Sequence, residues 1–178
     1  MSGEQIAALE RHYELLRRWN RVLNLTAIRD VREAVDRHYG EALFLAGRLP
    51  EGALAIADLG SGAGFPGFPV AIARPDCAVT LIEAHQRKAV FLREASRGIA
   101  NLRVEARRGE DIRESFDVVV SRAVAYGEMA GTLARLAPRA LLLTGPEPPA
   151  EELGFVWEEP VLLPGSKERF LRTGRKRK

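Results

Sequence analysis

The sequence predicts an α/β fold, a mostly parallel sheet with helices packed on it, behind a helical N-terminal extension. Three observations predict it. Between residues 54 and 144, short apolar runs of strand length alternate with helix-length segments, the texture of successive βαβ units. The first run leads straight into a glycine-rich turn, Asp58-Leu59-Gly60-Ser61-Gly62-Ala63-Gly64, where a strand would hand over to a helix. Before residue 50, apolar residues recur instead at helical spacing.

Residues 4–23 put Ile6, Leu9, Tyr13, Leu16 and Leu23 on one helical face and Arg11, Arg17, Arg18 and Arg21 mostly on the other. Asn24-Leu25-Thr26 interrupts the pattern. Asp30, with Glu33 three residues on, resembles a capping box and opens a second helix to about Leu49. Its apolar line is Val31, Ala34, Val35, Ala42, Leu45 and Leu49. Pro50-Glu51-Gly52 ends it and marks the boundary between the extension, residues 1–50, and a main domain, residues 51–178. In that domain strands are expected at 54–59, 79–82, 102–106, 116–120 and 141–144, and helices at 68–74, 87–96 and 129–137. Beyond a proline-rich turn at 145–149, the stretches 155–157, 161–163 and 170–172 can supply a closing pair of strands.

Apolar residues make up 46% of the 178, with charges of both signs throughout, which excludes a disordered tail or low-complexity scaffold. Cys77 is the single cysteine, so no intramolecular disulfide can form, and with three histidines no metal site is expected. Cys77 reads as structural, Trp19 as a core residue, and His12 and His85 as lying on solvated faces. A reducing cytoplasm fits the cysteine usage. No apolar run approaches the roughly 20 residues that span a bilayer, and Met1 to Glu10 lacks the regions of a signal peptide. The expectation is a soluble cytoplasmic monomer. Residues 167–178 hold seven Lys and Arg against Glu168 alone. Such a basic tail attracts phosphate backbones, and reads equally as a solvated chain end.

The glycine turn carries the chemistry. Glycines there allow positive backbone angles and close approach of a ligand. A dinucleotide fingerprint spaces its third glycine three residues after the second, whereas Gly60, Gly62 and Gly64 alternate. Pro66 removes a backbone donor that a pyrophosphate could use. Glu83, at the end of the second strand, is placed to accept both hydroxyls of a ribose. Asp58 would sit near the ligand's cationic end. An adenosine compound without phosphates and with positive charge describes S-adenosylmethionine. After the third strand, Gly109-Glu110-Asp111 offers acids and a close-approach glycine to an adenine.

Four segments in order over about residues 10–145 make the likeness specific: Trp19-Asn20-Arg21-Val22-Leu23-Asn24-Leu25-Thr26; Arg37-His38; Leu59-Gly60-Ser61-Gly62-Ala63-Gly64-Phe65-Pro66-Gly67; and Ser121-Arg122-Ala123-Val124-Ala125. They resemble the motifs of the glucose-inhibited division protein B family, bacterial methyltransferases of guanine N7 in small-subunit (16S) ribosomal RNA. The resemblance implies a Rossmann-like class I S-adenosylmethionine-dependent methyltransferase fold. It implies an adenosyl pocket from Gly60, Phe65, Glu83, Gly109, Glu110 and Arg122, and RNA-side roles for Arg108, Asn24 and His38. The chain departs from the family's His-x-x-Asp-Ser at Glu41-Ala42 and from its frequent Lys-Gly at Thr144-Gly145.

Guanine N7 has an exposed lone pair, so methyl transfer needs positioning rather than a general base. Arg122, ending the fourth strand, is the expected organising residue of the catalytic site. The expected partner is small-subunit ribosomal RNA or the 30S subunit, with no membrane. Alternatives are a same-fold methyltransferase acting on a small molecule or protein, and a non-catalytic S-adenosylmethionine-binding module.

Overall fold

The computed structural model describes residues 1–122, 125–129, 131–149 and 153–177. Helix α1 (Gly3–Leu23) starts from a capping box in which Ser2 Oγ accepts from the Gln5 N–H and the Gln5 amide oxygen accepts from the Ser2 N–H. Asn24 ends it in the left-handed conformation, at φ 47°. Leu16 turns into the core, but Ile6 remains 48% exposed. The centre of the inward stripe is held by His12, 1% exposed, which the sequence pattern had assigned to a solvated face. It can be buried because both ring nitrogens find partners, described below.

Asp30 caps the second helix through the Glu33 N–H. That helix is α2 (Val31–Ala34), a π turn (Val35–Gly40) and α3 (Glu41–Ala46) in succession. A π turn inserts an extra residue and rotates the preceding face relative to the following one. Val31 and Val35, expected inside, are therefore each 54% exposed, while His38, Tyr39 and Glu41 turn inward with Ala42 and Leu45.

The strands are β1 (Ala55–Leu59), β2 (Ala78–Ile82), β3 (Leu102–Glu105), β4 (Val118–Arg122), β5 (Arg139–Thr144), β6 (Phe155–Trp157), β7 (Val161–Leu162) and β8 (Phe170–Lys176). Among the described residues they form one sheet in the order β3-β2-β1-β4-β5-β8-β6, with β7 also paired to β8. The first five strands run parallel, and β8 lies antiparallel to both β5 and β6. The basic C-terminal stretch is thus no loose tail: most of it is an interior strand. Order reverses beside β1, and the carboxyl ends of β1 and β4 border the crevice where such sheets take ligands.

Helices α4 (Gly67–Ala73) and α5 (Gln86–Ala95) follow β1 and β2. The single helix expected at 129–137 is two, α6 (Tyr126–Met129) and α7 (Thr132–Leu136), parted at Gly131 with φ 72°; Ala130 lies outside the described residues, as do Ala123 and Val124 of the fourth motif. Alternation along β1 feeds two cores. Ile56 joins Leu16, Tyr39, Leu45, Phe68 and Phe91 on one face, and Ala57 and Leu59 join Phe116, Leu133, Leu136 and Phe155 on the other. Each fully buried Phe or Leu contributes about 1.5–3 kcal/mol relative to exposure. The first core includes residues of α1 and α3, so the N-terminal segment is packed against the sheet rather than tethered to it.

Candidate active site

The glycine turn leaves β1 with Gly60, Gly62 and Gly64 at φ 72°, 56° and 90°, a left-handed region closed to most side chains. Backbone N–H groups of Gly60 and Ser61 donate to the Ile82 carbonyl at the end of β2. The Phe65–Pro66 peptide is cis. Beneath the loop lies Asp58, wholly buried, its Oδ2 accepting from the Gly67 N–H at 2.9 Å. Gly67 has to be glycine, because a Cβ there would come within 2.6 Å of that same oxygen. Burial raises the Asp58 carboxyl to about 7, against the Gly67 N–H and the Ser61 hydroxyl, which lower it. Its Oδ1 is buried with no donor among the described residues.

Glu83, 8% exposed, is fixed at both oxygens: Oε2 accepts from the Gly62 N–H at 2.8 Å and Oε1 from the His85 N–H at 2.7 Å. Each carboxylate oxygen keeps a second lone pair. Beside it opens a hollow of about 390 Å³ whose lining includes Leu59, Gly60, Glu83, Gly109 and Glu110, together with Arg107, Arg108 and Thr132. That volume lies in the range of small-molecule sites. A Cβ on Gly109 would collide with Leu59 and reach within 3.0 Å of the Thr132 methyl, so the wall admits only glycine there without moving.

On the other side of the loop two histidines are locked as neutral rings. His12 Nε2 faces the Ala63 carbonyl at 3.0 Å, which can only accept, so Nε2 carries the proton and Nδ1 accepts from the Tyr39 hydroxyl at 2.7 Å. Burial lowers its pKa to about 4, the Ala63 carbonyl opposing. His38 stacks on Phe65 with ring centroids 4.5 Å apart. Its Nδ1 lies 2.8 Å from an Arg122 nitrogen that can only donate, so Nε2–H donates to Thr26 Oγ1 at 2.7 Å. Burial, then the charges of Arg122 and Arg37, lower His38 to about 3. Arg122 also donates to the Arg37 carbonyl at 3.0 Å and approaches Glu41 at 3.9 Å. Burial lowers the Arg122 guanidinium to about 10, with Glu41 opposing. Glu41 in turn holds Arg169 through two bonds of 2.6 and 2.8 Å.

The fold therefore gathers Gly60, Glu83, Gly109, Glu110 and the largely exposed Arg108 around one hollow. Asp58 lies below the loop instead of on the hollow's wall. Phe65 and Gly64 face the aromatic cluster behind it, where a Cβ on Gly64 would sit 3.2 Å from His12 Nε2. Asn24 and His38 border a different cleft, which ends at the His38–Arg122 bond. Sequence reasoning missed Arg107, Thr132 and Arg169, read His12 as solvated, and noted Glu41 only as a departure from the family's motif. For His12 the signal was available, as its position continues the Leu9–Leu16 stripe. Arg169 had none, since its partner is 128 residues away.

A family model described as rRNA small subunit methyltransferase G matches residues 5–142. The chain belongs to that family. Among its members, a ribosomal RNA small subunit methyltransferase G from Halorhodospira halophila is 46% identical over 80% of this chain and 70% of its own length. One from Stenotrophomonas maltophilia is 40% identical over 93% and 84%, and one from Xanthomonas campestris 45% over 75% and 63%. The match thus spans less than two thirds of the Xanthomonas relative. Solved structures share the fold at low identity. A magnesium protoporphyrin IX methyltransferase from Synechocystis gives a TM-score of 0.66 at 14% identity, covering 92% of this chain and 100% of that one. An S-adenosylmethionine-dependent methyltransferase from Aquifex aeolicus gives 0.64 at 13%, over 83% and 95%. The rRNA small subunit methyltransferase G family uses S-adenosylmethionine, and the hollow suits it, being acidic at Glu83 and narrow at Gly109.

Proposed function

We infer that this chain is an enzyme that methylates guanine N7 of 16S ribosomal RNA, with S-adenosylmethionine as donor. The observation that carries the reading is the Glu83 carboxylate pinned against the glycine turn by the Gly62 N–H, at the mouth of a hollow walled by Gly109. When bound, S-adenosylmethionine supplies an electrophilic methyl group on a cationic sulfur. Gly60, Gly109 and Glu110 would hold its adenosyl part, and Glu83 has lone pairs left that would accept from the ribose hydroxyls. Guanine N7 carries an unprotonated lone pair in the major groove. No residue has to remove a proton, and the chain's work is to hold and orient.

Arg122 is the orienting residue. It is held by His38 Nδ1, the Arg37 carbonyl and Glu41, and His38 stays neutral so that its lone pair remains available to that guanidinium. In this reading residues 1–50 are a helical extension of a methyltransferase domain at 51–178, and the protein works as a cytoplasmic monomer. Among the described residues no helix is long and apolar enough to cross a membrane. The test is transfer of labelled methyl to small-subunit RNA, both free and in 30S subunits. Wild-type protein should label guanine N7, and Arg122→Ala should lower turnover strongly in protein whose circular dichroism at the assay temperature remains native. Undiminished turnover in that variant would reject the role given to Arg122, and no transfer to any form of the RNA would reject the function.

A further inference from the structure

We propose that the cleft between the C-terminal end of α1 and His38 is a phosphate-binding seat for the RNA backbone, with Arg17, Arg21 and Arg29 as its cations. This rests on the reading of the chain as an RNA methyltransferase. The cleft encloses about 430 Å³, and Arg17, Arg21, Arg29, Asn20, Asn24 and Thr26 are among its lining residues, with no Asp or Glu among them. All three arginines are exposed, and no described carboxylate pairs with any of them. Arg17 lies 5.9 Å over the Tyr13 ring, which steers its guanidinium without neutralising it.

Eight other arginines have a carboxylate partner among the described residues, as in Arg37–Glu33, Arg74–Asp76 and Arg103–Glu114. Of the acids that flank the cleft in sequence, Asp30 caps α2 and Glu33 pairs with Arg37, while Glu14 and Asp36 are exposed and do not line it. In the other basic stretch Arg169 is held by Glu41, Arg172 by Thr144 and the Pro146 carbonyl, and Arg175 by Glu158, while Lys167, Lys176 and Arg177 are exposed but line no part of this cleft. Three free guanidiniums around a carboxylate-free cleft match a polyanion. Position supplies the link to the reaction. His38 forms the inner wall, and the run from Thr26 Oγ1 through its ring to Arg122 consists of bonds of 2.7 and 2.8 Å. A backbone seated in the cleft therefore lies one imidazole away from the carboxyl end of β4.

The experiment measures equilibrium binding of labelled 16S RNA between about 50 and 200 mM salt, where phosphate contacts give a log–log slope of about 0.7 per contact in single strands. It compares wild-type protein, the triple variant R17Q/R21Q/R29Q, and a control, R18Q/R32Q, outside the cleft. The triple variant should bind about tenfold or more weakly at low salt, with a slope shallower by about 2. Its affinity for S-adenosylhomocysteine and its melting profile should be unchanged. A wild-type slope in the triple variant overturns the proposal, and so does an equal loss per charge in the control, which would mean diffuse attraction. Lost methylation of 30S subunits with naked-RNA binding intact also overturns it, in favour of an acidic protein segment as occupant. Absence of RNA binding by wild-type protein at low salt overturns it too. Cleft-dependent RNA binding without methyl transfer would sustain the seat and defeat the function inferred above; methyl transfer indifferent to the triple change would do the reverse.

Discussion

Glu41→Gln tests how the two ends of the chain are joined. The Glu41 side chain is 4% exposed, accepts two bonds of 2.6 and 2.8 Å from Arg169, and lies 3.9 Å from Arg122. Removing one partner of a buried pair costs about 3–5 kcal/mol, because the remaining charge stays desolvated and unmatched. Arg169 keeps 22% of its side chain in water and recovers part of its hydration. That brings the expected loss to about 2–3 kcal/mol. At about 2–4 °C per kcal/mol for a chain of this length, the melting midpoint should fall by roughly 4–12 °C. Circular dichroism melts of Glu41→Gln, Arg169→Gln and the double variant give the answer directly. Because the two side chains act on each other, the double variant should lose less than the two single losses together, by about 1–3 kcal/mol. A buried pair is screened little, so the loss should persist at high salt. Strict additivity, a midpoint unmoved by Glu41→Gln, or a loss abolished by salt would each refute the reasoning.

Gly109→Ala should drive a methyl group into Leu59 and the Thr132 side chain, costing about 1–3 kcal/mol of stability and weakening S-adenosylhomocysteine binding in a calorimetric titration; unchanged midpoint and affinity would show that the wall yields. Glu83→Gln replaces a carboxylate that accepts from two backbone N–H groups by an amide. Losing one charge-assisted bond to the ribose, worth about 1.5–3 kcal/mol, should raise the Kd for S-adenosylhomocysteine about 10- to 150-fold, and an unaltered Kd would detach Glu83 from the site. Acidification should destabilise the fold. His12 and His38 have folded pKa values of about 4 and 3, below the unfolded value of 6.5, so the unfolded chain takes up their protons first and their contribution is lost as pH falls below 6.5. Asp58, raised from 3.8 to about 7, acts oppositely between those values, leaving a net loss of about 1.4 kcal/mol per pH unit from pH 6.5 down to about 4. Urea midpoints at pH 7, 6 and 5 measure it, and a flat or rising series would contradict the burial of both histidines.

Local rules carry much of this molecule. The five parallel strands, the Asp30 cap, the close-approach glycines and the acid closing β2 are all written as short-range patterns, because backbone sterics and period-two burial act within a few residues. Motif spacing likewise brought out Gly60, Glu83, Gly109 and Glu110, which the fold gathers around one hollow. Other features belong to long-range packing. The π turn that turns Val31 and Val35 outward and His38 and Glu41 inward has no periodic signature, since the helical pattern reads the same until a neighbour selects the register. His12 looked solvated because a lone polar residue says nothing of partners 27 and 51 positions away. The antiparallel strand β8, the pairing of Glu41 with Arg169, and the sorting of arginines into spent and free ones depend on which segments meet. Side-chain type and order determined what this chain can do; only tertiary contact decided which of its polar groups are neutralised and which remain for a ligand, because charge is matched in space and not along the chain.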